Sequence, residues 1–307
     1  VLIGTDAMTD ISVIKLKPES PREFKYVGFG DSAKLSVGDQ VLAMGSPMAL
    51  SQSVTLGIIS NVEMIMPRFF GGRGAFRLDG EDVGSLVKWI GHDAAIYGGN
   101  SGGPLVNLKG DIIGINEISF GLGGAIPGNL AKSVAQELMQ HGKIQRSWLG
   151  LDTQPTFKRS KDTRGVIISG VMEDSPAAAA GLQSGDVLLK LNGQATDVRF
   201  DEQVPGYMRI VTGLPIGKPV EAVVLRGGKE MKFQITAQER GDLFPNQSEL
   251  KPWGLTARNI SSLMQREMKR DNADGVLVVT VRPGGPAGEA KPALDYRDVI
   301  VDVGGTP

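Results

Sequence analysis

The chain is predicted to be mostly β, with a barrel of short strands in its first half and a repeated α+β unit in its second. Short apolar runs separated by glycine turns fill the first half, which suits a barrel better than alternating strand–helix–strand units. In the second half Gly165-Val166-Ile167-Ile168-Ser169-Gly170-Val171 returns as Gly275-Val276-Leu277-Val278-Val279-Thr280-Val281, an offset of 110 residues. Such self-similarity marks a duplicated unit. At roughly 100 to 200 residues per domain, 307 residues make two or three domains.

Composition excludes several functions. With 33 basic against 34 acidic residues, no global field favours nucleic acid or an anionic membrane surface. The absence of cysteine removes disulfides and thiolate metal sites, and two histidines, His92 and His141, are too few for a zinc centre. No metal and no cofactor are expected. No apolar run reaches the ~18 residues of a membrane-spanning helix. The chain opens at Val1 inside an apolar run, so it reads as an interior piece whose targeting segment lies elsewhere.

From Asp10 onward, Thr9-Asp10-Ile11-Ser12-Val13-Ile14-Lys15-Leu16 alternates polar and apolar residues, the period of a half-buried strand. An acid at its head is either a solvated turn residue or a functional carboxylate, with Asp6 as the other candidate. Leu35-Ser36-Val37-Gly38-Asp39-Gln40-Val41-Leu42-Ala43-Met44-Gly45-Ser46-Pro47 gives a turn, a strand and a Gly-Ser-Pro stop. Thr55-Leu56-Gly57-Ile58-Ile59-Ser60 is the next strand. Residues 64–84, centred on Gly71-Gly72-Arg73-Gly74, break the pattern and read as a surface loop.

The first half is organised around Gly98-Gly99-Asn100-Ser101-Gly102-Gly103-Pro104-Leu105-Val106. Glycines let backbone approach a substrate closely and let successive N–H groups converge on developing negative charge. Ser101 would be a nucleophile beside that pocket, needing a base oriented by a carboxylate. The alternative is a tight turn between two strands. With Asp93-Ala94-Ala95-Ile96 before it and Asn107 after it, the segment resembles the active-site segment of the HtrA/DegP family, trypsin-like serine proteases carrying PDZ domains.

The resemblance implies a double β-barrel whose N-terminal barrel is incomplete here. Thr9-Asp10-Ile11-Ser12 is similar to the family segment holding the catalytic aspartate, and Asp10 lies 91 residues before Ser101. The N–H groups of Gly99 and Ser101 would receive the oxyanion. Ile115, Asn116 and Glu117, on the strand after the turn Gly110-Asp111, would line the pocket for the residue before the scissile bond. Loop 64–84 would help order the site. In the trypsin-like order the histidine precedes the aspartate by about 30 to 45 residues, so it is expected ahead of Val1. His92 stands where the family often has threonine and is read as structural; His141, at a helix end, is read as a partner of the helix dipole. That helix is expected over 131–141, stopped by Gly142.

Ser175-Pro176-Ala177 pairs with Gly285-Pro286-Ala287, and Gly185-Asp186-Val187-Leu188-Leu189 with Arg297-Asp298-Val299-Ile300-Val301. These resemble PDZ domains in bacterial strand order. Asn192-Gly193 signals a type I′ hairpin, with Gly304-Gly305 in its place in the second copy. Leu149, Gly150 and Leu151, after Trp148, match the loop that receives a peptide carboxylate while the peptide adds a strand. Trp253-Gly254-Leu255 matches it too, or is an ordinary strand start. Residues 241–252 read as a linker. The expected division is a partial protease domain at 1–146, a first PDZ domain at 147–240, and a second, truncated, at 251–307.

The resemblance implies an extracytoplasmic, periplasmic serine endopeptidase of protein quality control that cleaves unfolded or misfolded polypeptides. Its PDZ domains would bind protein C-termini and its protease domain would assemble into homotrimers. A chain without its histidine would be inactive alone. The rival is an inactive protease-like scaffold or chaperone acting through its PDZ domains; a third reading is a sensor in which PDZ ligands order the protease loops.

Overall fold

The computed structural model describes residues 1–47, 52–65, 76–78, 81–119, 121–156, 164–240, 245, 247–261, 264–265 and 268–306. Gly71-Gly72-Arg73-Gly74 lies outside the described residues. Six strands close a barrel in the order Gly123–Pro127, Trp89–His92, Ser53–Met64, Gln40–Gly45, Pro104–Asn107, Ile112–Ser119. Their inward side chains, Val41, Ala43, Ile59, Ile90, Leu105 and Ile113, form one apolar cluster. Where the sequence shows an acid heading a strand, Leu2–Asp6 and Ile11–Ile14 make a separate antiparallel hairpin.

The helix Gly128–His141 starts three residues before the expected 131. Pro127 precedes it with φ −56°, an angle already suited to helix entry. Ala131, Val134 and Leu138 recur at helical spacing and pack against Ile11, Val87, Trp89 and Ile126. Gly142 stops the helix in the left-handed region, its N–H donating to the Leu138 carbonyl. Within the stretch read as a loop, Phe76–Leu78 and Glu81–Val83 pair as a short hairpin.

A second sheet orders Leu151–Gln154, Val166–Val171, Val187–Leu191, Pro219–Arg226 and Lys229–Thr236, with Gln194–Ala195 attached to Val187–Leu191. Helix Val204–Thr212 packs Tyr207 and Val211 into its core with Leu149, Ile168, Leu188 and Ile235. The two-residue turn Asn192-Gly193 has φ 49° and 76°, as a type I′ hairpin requires. Ser147–Trp148 pairs with Gln238–Glu239 at the ends of this unit. A third sheet orders Gln247–Leu250, Leu255–Asn259, Val276–Val281 and Val299–Ile300. Gln247–Leu250 corrects the linker expected over 241–252. Its polar residues suit an edge strand, with Leu255–Asn259 supplying the ladder on one side.

Candidate active site

The turn carrying Ser101 is fastened to its surroundings by main chain. Gly102 N–H donates to Asn116 O at 2.8 Å and Asn116 N–H to Gly103 O at 2.8 Å, tying the turn to strand Ile112–Ser119. Gly99, at φ 109°, runs so close to strand Gln40–Gly45's end that a Cβ there would lie 2.4 Å from the Ser46 carbonyl. That approach requires glycine. Ser101 is exposed, and its Oγ donates to the Glu117 carbonyl at 2.8 Å. Among the described residues, the N–H groups of Gly99 and Ser101 have no backbone acceptor, which leaves both available to an oxyanion.

Glu117 is where the expected site residues meet. Its Oε2 accepts from Trp89 Nε1, and its carboxyl faces the Asp10 carboxyl. Burial raises the Glu117 pKa to about 7, with the neighbouring Asp10 charge adding to the shift. Asp10 is raised as well, again chiefly by burial. It reaches this position from a tight turn at φ 54°, where its N–H donates to Ala7 O at 3.2 Å. Asp6, the other candidate, is engaged elsewhere: its Oδ2 receives Thr9 Oγ1 and, at 2.7 Å, Arg146 Nη2.

Of the three expected pocket residues, Ile115 and Glu117 share the face toward Trp89. Asn116, on the opposite face, is wholly buried and donates through Nδ2 to Pro104 O at 3.1 Å, so it braces the strand from behind. His92 is also wholly buried, its ring against Gly123 and facing Asn116. Neither ring nitrogen makes a formed hydrogen bond, and burial pushes the imidazole pKa down. His141 is exposed in the last turn of its helix. Ser101 Oγ is thus bonded to a carbonyl and not to either histidine.

The second candidate site is the loop Leu149, Gly150 and Leu151. Leu149 is buried, Gly150 has φ 76°, and a Cβ on Gly150 would lie 2.2 Å from Ser175 Cβ. Met172 N–H donates to Gly150 O and Ala177 N–H to Leu149 O, each at 2.9 Å. The second repeat reproduces both bonds: Arg282 N–H donates to Gly254 O at 2.7 Å and Ala287 N–H to Trp253 O at 2.9 Å. Tyr207 on helix Val204–Thr212 faces Thr153 of the first loop's strand, and burial pushes its phenol up to about 12.

Sequence reasoning missed Trp89 as a site residue and missed the meeting of Glu117 with Asp10. It also missed Arg209, whose Nη1 donates to Leu86 O at 2.9 Å and links helix Val204–Thr212 to the turn before Trp89. A lone tryptophan 28 positions from its acceptor carries no linear signal. No His/Cys/Asp/Glu group suited to a metal occurs among the described residues. No helix of the described residues is long and apolar enough to cross a membrane.

Comparison with known proteins adds to this geometry. Residues 1–115 match the model of a trypsin-like peptidase domain and residues 167–213 that of a PDZ domain. A probable periplasmic serine endoprotease DegP-like of Halomonas elongata is 35% identical over 327 residues, which cover 99% of this chain and 62% of that protein. The periplasmic pH-dependent serine endoprotease DegQ of Escherichia coli K12 is 33% identical, covering 98% of this chain and 63% of that protein. The chain therefore spans less than two thirds of these curated relatives. Among solved structures, the HtrA-type protease AlgW with tripeptide has a TM-score of 0.64 at 32% identity, covering 78% of this chain and 76% of that one. The serine endoprotease from Yersinia pestis has a TM-score of 0.58 at 32% identity, covering 78% and 75%.

Proposed function

The chain belongs to the HtrA/DegP family of trypsin-like serine proteases with PDZ domains, and from that footing we propose that the whole protein is a periplasmic serine endopeptidase acting on unfolded or misfolded polypeptides. The observation that carries the reading is the exposed Ser101 hydroxyl, in a turn where the N–H groups of Gly99 and Ser101 have no backbone acceptor among the described residues, with Asp10 brought to the adjoining Glu117. Residues 1–146 form the catalytic part, and residues 147–240 and 251–307 the two PDZ units.

In this reading a histidine from outside these 307 residues takes the Ser101 proton as Oγ attacks the substrate carbonyl carbon. The main-chain N–H pair receives the oxyanion, and the histidine hands the proton to the departing amine. Water then releases the acyl group from Ser101. Asp10 orients the histidine and stabilises its charged form. The burial of His92 and the exposure of His141 at a helix end support a base drawn from elsewhere. The loop Leu149, Gly150 and Leu151 takes a peptide's C-terminal carboxylate, and copies of the protein assemble as trimers through the catalytic part.

The test is cleavage of an unfolded, casein-like polypeptide by the whole protein and by its Ser101→Ala variant, with residues 1–307 alone in parallel. The whole protein is expected to cleave, the variant and the isolated chain to be silent. Robust turnover by residues 1–307 alone would refute the outside base. No turnover by the whole protein, with peptide binding retained, would favour the scaffold.

A further inference from the structure

Glu117 stands in an unusual position for an acid. Its backbone carbonyl receives the Ser101 hydroxyl at 2.8 Å, while its side chain meets Trp89 and Asp10. One residue thus touches both the proposed nucleophile and the proposed orienting carboxylate. Trp89 is 4% exposed, and its indole N–H, which can only donate, is directed at Glu117 Oε2. The indole therefore fixes the carboxyl's orientation in either protonation state.

The groups around this carboxyl can be named element by element. Strand Trp89–His92 contributes the Trp89 indole, the turn after Thr9 contributes Asp10, and the turn at Gly84 presents backbone near Oε1. Among the described residues no cation is paired with either carboxyl: Arg146 binds Asp6, Lys88 binds Glu63 at 2.8 Å, and Arg209 binds the Leu86 carbonyl. Two facing carboxyls to which no cation is paired among the described residues repel strongly when both are ionised, so below about pH 7 they retain one proton. Glu117 is the more enclosed of the two, while Asp10 keeps a side open to solvent.

We propose that Glu117 is a positioning residue for Asp10: as a neutral acid it donates a hydrogen bond to the Asp10 carboxylate and holds it in place to orient the base, and when ionised it drives Asp10 away. The inference rests on the reading of Ser101 and Asp10 as catalytic. Retention of a proton on Glu117 up to about pH 7 agrees with it. Catalysis then has two requirements of opposite sign: the base must be neutral, which favours higher pH, and Glu117 must be protonated, which favours lower pH. A glutamine in its place would accept from Trp89 through its carbonyl and donate to Asp10 through its amide at every pH.

The experiment uses the whole enzyme and follows, across acid to alkaline pH, both kcat/KM on an unfolded polypeptide and the rate at which a fluorophosphonate labels Ser101. The wild type is expected to fall off on the alkaline side in both. Glu117→Gln should stay active and lose that alkaline fall, whereas Glu117→Ala should lose about tenfold or more in labelling rate, the scale for a hydrogen bond to a charged group. Superimposable pH profiles for the wild type and Glu117→Gln would overturn the proposal. Infrared spectra of residues 1–307 supply a readout independent of turnover: a neutral-carboxyl band that persists above the ordinary carboxylate range, up to about pH 7, and is absent there in Glu117→Gln is expected. Lack of that band would overturn the shared proton. If the band is present but no labelling of the wild type depends on Ser101, the proteolytic reading fails and the catalytic role of Glu117 falls with it.

Discussion

Arg146 Nη2 lies 2.7 Å from Asp6 Oδ2, across 140 residues of sequence, with the Asp6 side chain 7% exposed and that of Arg146 19%. The pair ties the N-terminal hairpin to the segment leading into the first PDZ unit, and the turn bearing Asp10 lies just after Asp6. Arg146→Ala leaves a buried carboxylate with Thr9 as its remaining side-chain partner, and breaking such a pair costs about 3 kcal/mol or more. Replacing both members, Asp6→Asn with Arg146→Met, should cost less, since no bare charge remains. Urea unfolding of the wild type and of these two variants checks this; equal losses in the single and double variants would contradict it.

His92 predicts an acid-side loss of stability. Its folded pKa lies below the ordinary 6.5, so beneath that pH the unfolded chain takes up a proton the folded chain refuses. The stability is present above 6.5 and is lost as pH falls through the folded value. Desolvation dominates, opposed by Asn116, the Ala94 backbone and the charge of Asp93. Glu117 works with the opposite sign: its raised pKa contributes stability fully present below 4.5 and lost as pH rises through about 7. Denaturation series in a Glu117→Gln background therefore isolate the histidine. His92→Thr should flatten the remaining slope. In the whole enzyme the same change should leave the pH dependence of cleavage in place, because another histidine titrates there; a loss as complete as that of Ser101→Ala would contradict the assignment.

Gly150→Val should abolish peptide binding by the first PDZ unit. A β-branched residue at φ 76° is strained, and its Cβ would drive into Ser175. A peptide with a free, apolar C-terminus is expected to bind at a roughly micromolar level, because strand addition orders a flexible ligand. The C-terminal amide should bind more weakly. Titration of labelled peptides into the whole chain measures both effects. Equal affinities for acid and amide, or for wild type and variant, would remove the carboxylate role.

The features legible in sequence were those that depend on neighbours in the chain. The glycine-lined turn at Ser101, the Asn192-Gly193 hairpin and the helix stop at Gly142 are dictated by local backbone chemistry. The repeat offset was visible because it repeats the same local pattern. Gln247–Leu250 was illegible because its polar residues form a strand through the partner Leu255–Asn259, not through their own propensity. The convergence of Asp10, Trp89 and Glu117 was hidden for a related reason. Three separate elements bring them together, and an acid facing an acid is the opposite of the pairing that charge patterns suggest.

The two repeats keep the same pair of main-chain bonds at their loops although Leu149 is 1% exposed and its counterpart Trp253 is 38% exposed. A socket built from peptide groups is indifferent to which side chains hang around it. Duplication of such a unit leaves its architecture intact while the lining drifts, so two copies within one molecule are free to diverge in taste without either having to reinvent its grip.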